Sequence, residues 1–217
     1  MPGSGSGTIP AFGVVNTSNT SQTATITVTP TYDNNGVVCI GTPELFTITV
    51  NPNAQVDSLE SWNTVACDGD FTPTYIFTTS NTDGTTSYEW TNNNPAIGLA
   101  ESGSGGIPSF SATNSSNTTI TATITVTPTY NNNGLSCSGT ADTFTITVNP
   151  SPQVDEVQDI VLCNNEDSEI ITFTTSNTDG TVTLNGEIES SNDAIVLGAV
   201  TLGSATVIDT DASSNAA

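Results

Sequence analysis

Two short stretches alternate apolar and polar residues with a period of two. Ala24, Ile26 and Val28 alternate with Thr25, Thr27 and Thr29, and Phe46, Ile48 and Val50 alternate with Thr47 and Thr49. This is the spacing of a half-buried strand, with one face packed and the other wet. The threonines suit it, because a β-branched side chain favours extended backbone and its hydroxyl stays solvated. No segment carries a capped apolar pattern of period 3.6, so helix is not expected. Turn signals separate the strands at Asp33-Asn34-Asn35-Gly36, Asp68-Gly69-Asp70, Asp83-Gly84, Asn131-Asn132-Asn133-Gly134 and Asp179-Gly180.

Both stretches recur. Thr23 to Tyr32 returns as Thr121 to Tyr130 and Phe46 to Pro52 as Phe144 to Pro150, each at an offset of 98, which Cys39 and Cys137 share. Phe77 to Gly84 returns as Phe173 to Gly180 at an offset of 96, so one connection is shorter by two residues. A period near 98 is too long for a solenoid turn and matches the roughly 100 residues of an immunoglobulin-like sandwich. The expected fold is all-β, a tandem of antiparallel β-sandwiches. Residues 1–51 read as the C-terminal part of one repeat, 52–150 as a complete repeat and 151–217 as the N-terminal part of a third, ending in a strand over Ala205 to Asp209.

Composition then narrows the chemistry. The 217 residues include 22 carboxylates and no lysine, arginine or histidine. Nucleic acid is not expected as a partner and anionic membrane surfaces are poor ones, because no cationic side chain can replace their counterions. Without histidine there is no Ser-His-Asp or Cys-His arrangement, and without lysine no Schiff base or P-loop cation. No apolar run approaches the roughly 18 residues of a membrane helix, so membrane insertion is not expected. Four cysteines, Cys39, Cys67, Cys137 and Cys163, lie far apart with no CxxC pair. That spacing argues against zinc and fits an oxidising compartment, with free thiols as the plain alternative.

Several segments in fixed order carry a resemblance: Tyr88 to Ala100, Gly103 to Phe110, and Thr143 to Pro150. They closely resemble the PKD-like repeats of Bacteroidota cell-surface proteins. The stretch after Gly180 departs, since Leu184-Asn185-Gly186 stands where Tyr88-Glu89-Trp90 would be. The resemblance implies a secreted, extracellular adhesin or gliding-type surface filament, often exported by the type IX system, in which such repeats form a stalk. It identifies no catalytic residue, and no enzymatic activity is expected.

Candidate sites are few. Glu89 beside Trp90 invites comparison with a glycosidase carboxylate, yet alternation puts Glu89 toward solvent and Trp90 in the core. Calcium suits the acidic loops after Cys67 and Cys163, where Asp68, Asp70, Glu166 and Asp167 offer hard oxygen donors, although solvated turns explain the same residues. Trp62 with Tyr32, Tyr75 and Tyr130 would serve a carbohydrate-binding surface module, the rival function, with surface glycans as its partners. Asn16, Asn19, Asn114 and Asn117 begin N-linked sequons, and Asp57-Ser58-Leu59 resembles a Bacteroidota O-glycosylation signal.

In an immunoglobulin-like order Cys67 and Cys137 fall at opposite ends of one sandwich. A disulfide between adjacent repeats is then as reasonable as one within a repeat. The first 51 residues hold the strands that the last 67 lack, which points to copies of the chain polymerising head to tail by strand addition. On that scheme Cys67 meets Cys39, and Cys163 meets Cys137, of the next copy. The alternative is that the 217 residues are one piece of a longer repeat protein, with adjacent repeats as the partners.

Overall fold

The computed structural model describes residues 3–164, 166–167, 169–187 and 206–209. Within them the protein is all-β apart from two single 3-10 turns, Glu60–Trp62 and Pro95–Ile97. The far part of the 151–217 unit, residues 188–205 and 210–217, lies outside the described residues, as do Met1 and Pro2.

The complete unit is built on one six-stranded sheet. Its strands are β5 (Thr64–Cys67), β6 (Thr85–Asn92), β7 (Ser102–Ser104), β8 (Ile120–Asn132), β9 (Leu135–Ser138) and β10 (Asp142–Asn149). The order is β5-β10-β8-β6-β7, with β9 on the far end of β8. A second layer faces it, formed by residues 69–78 against 107–112. Bridges Phe71–Ser111 and Tyr75–Ile107 and the reciprocal Tyr75–Ile107 backbone bonds, 2.8 and 2.9 Å, hold that layer.

The alternation read from the sequence sets the core. Ala122, Ile124 and Val126 of β8 and Phe144, Ile146 and Val148 of β10 are buried, while the threonines between them are not. Tyr75, Phe77 and Ile107 of the second layer join them in one core with Leu59, Trp90 and Ile97. Emptying one such position, as in Ile146→Ala, costs about 2–5 kcal/mol by transfer and cavity terms together.

The turns follow their glycines. In the β8–β9 hairpin Asn133 and Gly134 both take positive φ, 51° and 77°, the signature of the two-residue turn whose twist matches the flanking strands. Pro128 sits where the β10 pairing has ended and the β9 pairing has not begun, so its missing N–H breaks no bond on that edge.

Residues 3–51 repeat one corner of this plan: β1 (Gln22–Val28) pairs with β4 (Glu44–Val50), and β2 (Thr31–Asn34) with β3 (Val37–Ile40). The registers are those of the complete unit shifted by 98: Gln22–Val50 matches Ile120–Val148, and Tyr32–Cys39 matches Tyr130–Cys137. Residues 151–177 repeat the opposite corner. Asp57 N–H to Thr78 O, Thr78 Oγ1 to Asp57 Oδ2, Gln55 N–H to Asn81 Oδ1 and Asn81 Nδ2 to Asn53 O recur as Asp155 to Thr174, Thr174 to Asp155, Gln153 to Asn177 and Asn177 to Ser151.

The expectation of a purely antiparallel sheet needs correction. β5 runs parallel to β10, with Cys67 beside Asn149. Residues 53–63 cross over the core first, so the chain descends the free edge of β10 in that strand's own direction and caps its open hydrogen-bonding groups. A parallel pair also joins β11 (Leu184–Glu187) to β12 (Thr206–Asp209), which covers the strand expected over Ala205 to Asp209 except for Ala205 itself.

Candidate functional site

Between the first unit and the complete one lies a joint made of short polar side chains. Thr82 N–H donates to Asn19 O at 3.0 Å, and Tyr130 OH donates to Thr82 O at 2.9 Å. Asn132 Nδ2 donates to Ser21 Oγ at 2.8 Å and to Asn51 Oδ1 at 3.2 Å, while Asn51 Nδ2 donates to Asn132 O at 3.3 Å. Tyr130 is buried, and a Cβ on Gly84 would meet its ring at 2.6 Å, so glycine is required there. The next joint repeats the first of these bonds and adds one of its own. Thr178 N–H donates to Asn117 O at 3.2 Å, and Thr119 N–H donates to Asp179 Oδ2 at 2.7 Å. That backbone N–H holds the Asp179 carboxyl below its usual range.

The loops that present these groups are rigid for a local reason. Asn114 Nδ2 donates to Thr118 O and Val148 O at 2.8 and 2.9 Å, and its Oδ1 accepts the Ser116 N–H. Asn16 does the same with Thr20, Val50 and Ser18. Two of the sequon asparagines thus have their side-chain amides tying the loop to the neighbouring strand, and Asn114 is buried. Asn19 and Asn117 contribute their carbonyls to the joints.

The acidic loops close on themselves. Asp70 Oδ2 accepts the Cys67 N–H at 3.2 Å and Glu166 Oε2 accepts the Cys163 N–H at 2.8 Å, so the two turns are equivalent. Asp68 accepts Asn114 N–H at 2.8 Å and Ser151 Oγ at 2.9 Å, and these bonds, the backbone one first, lower its pKa. Among the described residues no three acidic or cysteine side chains gather as a metal site would require; Asp167 lies in the second loop. The four thiols of Cys39, Cys67, Cys137 and Cys163 are unpaired within the chain.

The aromatics separate. Trp62 stacks on Phe77 at 5.6 Å and packs against Tyr75 and Phe144 at 5.9 Å each. Tyr75 is buried, which raises its pKa, and donates to Thr64 Oγ1 at 2.9 Å. Trp90 is buried with its Nε1 unpartnered, while Glu89 beside it points to solvent. Tyr32 alone of the candidate tyrosines stands exposed, on the hairpin of the first unit.

The most distinctive surface is apolar. Phe12, Val14, Ile26, Ile48 and Val50 line an open groove of about 300 Å³ on the first unit. Each matches a core or core-contacting position of the complete unit: Phe110, Ala112, Ile124, Ile146 and Val148. Phe46 is 44 % exposed and its counterpart Phe144 is 2 % exposed. The segment after residue 150 shows the converse: Val157, Ile171 and Phe173 are exposed, where Leu59, Tyr75 and Phe77 are buried.

No family model matches the chain, and no curated protein or solved structure matches it significantly.

The joint residues Asn19, Ser21, Asn51, Asn132 and Asp179 carry no periodic signal. In the sequence Asn132 and Asp179 stand out only as turn residues, Asn19 only as a sequon, and Asn51 only in the Asn-Pro that recurs as Asn149-Pro150.

Proposed function

We propose that the chain is a structural segment of an extracellular bacterial surface filament or adhesin stalk. On this reading its repeats are immunoglobulin-like, PKD-like sandwiches, and copies extend head to tail when one copy's residues 151–187 complete the open sheet of another copy's residues 8–50. The observation that carries the reading is the pair of complementary half-cores, exposed at opposite ends of one chain and matched position for position to a closed core between them. Exposed apolar surface of this kind is stable in water only when covered.

Three further features support it. The two facing layers and a buried tryptophan on β6 are consistent with an immunoglobulin-like sandwich. The two joints share one equivalent backbone bond, Thr82 to Asn19 and Thr178 to Asn117, which fits a string of repeats. A chain with 22 carboxylates and no cationic side chain suits a solvated shaft better than an anion-binding module.

Light scattering of the full chain across a concentration series in reducing buffer, with negative-stain images of the same samples, tests the reading. Fibres that lengthen with concentration are expected. A monomer at every concentration would sink the head-to-tail scheme.

A further inference from the structure

We infer that neighbouring copies are joined by two disulfides, Cys163 of one copy to Cys137 of the next and Cys67 of the first to Cys39 of the next, each spanning a joint between successive sandwiches. The inference rests on the head-to-tail reading above.

A bridge within one sandwich is ruled out by the ladder. Cys67 lies beside Asn149, next to Val148, which pairs with Ile120 at the start of β8. Cys137 pairs with Tyr130, ten residues further along the same strand. At about 3.3 Å per residue that is about 33 Å, whereas a disulfide tolerates about 7 Å between Cα atoms.

Across a joint the same ladder brings thiols together. Asn51 is the counterpart of Asn149, and its side chain exchanges hydrogen bonds with Asn132 on the hairpin that carries Cys137. A strand completing the first unit in the register of β5 sets its cysteine beside Asn51, about 4.8 Å away, one strand spacing. The residue at that position in the completing segment is Cys163, held in the turn that also holds Cys67: Cys163 O accepts the Glu166 N–H and Cys67 O the Asp70 N–H, both at 3.1 Å. Cys137 stands opposite Tyr130, whose hydroxyl lies 3.3 Å from Ser21 Oγ across the joint. The preceding joint repeats the arrangement with Cys67 and the Tyr32–Cys39 ladder position.

Three of the thiols are exposed and Cys137 is partly covered, so all are open to a neighbour. In each linkage two S–H bonds break and one S–S bond forms. Two electrons and two protons pass to a small-molecule disulfide of the oxidising compartment, which is reduced to two thiols.

The test mixes two variants of the full chain, C39S/C137S and C67S/C163S, in oxidised glutathione. On a non-reducing denaturing gel the parent chain should give a ladder that reductant collapses, each variant alone a single chain, and the mixture dimers with nothing larger. Mapping must use a protease specific for acidic residues, since trypsin has no site, and should recover Cys163 linked to Cys137 and Cys67 linked to Cys39. A Cys67–Cys137 peptide from monomer, a ladder from either variant alone, or four titratable thiols in oxidised fibres would overturn the inference. Light scattering in reductant separates the two ideas: assembly there with no links on oxidation overturns the disulfides alone, and no assembly overturns both.

Discussion

Tyr32 and Tyr130 occupy the same position in two ladders of identical register, yet Tyr130 is fully buried and Tyr32 is 67 % exposed. The difference lies in what stands next to them. Tyr130 packs on Gly84 and bonds to Thr82 O, within the stretch Thr82-Asp83-Gly84 that recurs as Thr178-Asp179-Gly180. Among the described residues Tyr32 has no such loop beside it, and the head-to-tail reading assigns it the Thr178–Gly180 loop of another copy.

That assignment makes the two tyrosines separable by mutation. Tyr130→Ala should lower the stability of the single chain by about 3 kcal/mol or more, as other buried aromatic truncations do. Tyr32→Ala should leave chain stability within about 0.5 kcal/mol. It should instead weaken association by about 2 kcal/mol, roughly 30-fold, as loss of an anchoring aromatic does. Urea titration reads the first effect and dilution light scattering the second.

A similar contrast applies to the aliphatic core. Ile146 is buried between the layers, while its counterpart Ile48 lines the open groove. Ile146→Ala should cost about 2–5 kcal/mol in the unassembled chain. Ile48→Ala should cost under about 1 kcal/mol there and approach the Ile146 value once fibres form. Thermal melts below and above the assembly concentration measure both.

Much of this was open to inspection in the sequence. The alternation from Ala24 to Val28 and from Phe46 to Val50 specifies strand and inward face together, because a period of two has one packed side. The turns at Asn35-Gly36 and Asn133-Gly134 were equally plain, since few residue pairs accept two positive φ values. The direction of β5 was not legible: Thr64-Val65-Ala66-Cys67 is short, its Val65 is exposed, and local pattern carries no sign of parallel pairing. The joints were illegible for another reason. Ser21, Asn51 and Asn132 meet across separations of 30 to 111 residues, and hydrogen bonds between small polar side chains leave no periodicity. The sequons show the same limit, because Asn114-Ser115-Ser116 reads as a glycan acceptor until Asn114 is seen tying its own loop to Val148.

Acid should loosen the second joint. The Asp179 carboxylate accepts the Thr119 N–H, and Asp68 accepts Asn114 N–H and Ser151 Oγ, so both pKa values lie below the usual 3.8. A carboxyl with a depressed folded pKa contributes its stabilisation above the unfolded value and loses it as pH falls through the folded one. The contacts should therefore be intact at pH 5 and above, and weaken from about pH 4 downward. Asp179→Asn should remove most of that dependence at the joint while leaving the complete sandwich folded. Small-angle scattering from pH 6 to pH 2.5 follows the opening, and near-ultraviolet circular dichroism reports the sandwich core separately.

Salt should promote assembly, against the usual behaviour of charge-paired interfaces. Each copy carries 22 carboxylates and no cationic side chain, so two copies approaching end to end meet only repulsion from each other's side chains. On the head-to-tail reading the attraction between them is apolar burial and short-range hydrogen bonding, which screening leaves almost untouched. The Debye length falls from about 30 Å at 0.01 M to about 3 Å at 1 M, which removes the repulsion between the bodies of adjoining copies. Association should therefore strengthen by roughly an order of magnitude across that range, chiefly through faster encounter. Stopped-flow light scattering at stepped sodium chloride concentrations measures the rate directly. An association rate that falls with salt would mean that opposite charges meet at the joint, which a chain without lysine, arginine or histidine cannot supply beyond its own N-terminal amine.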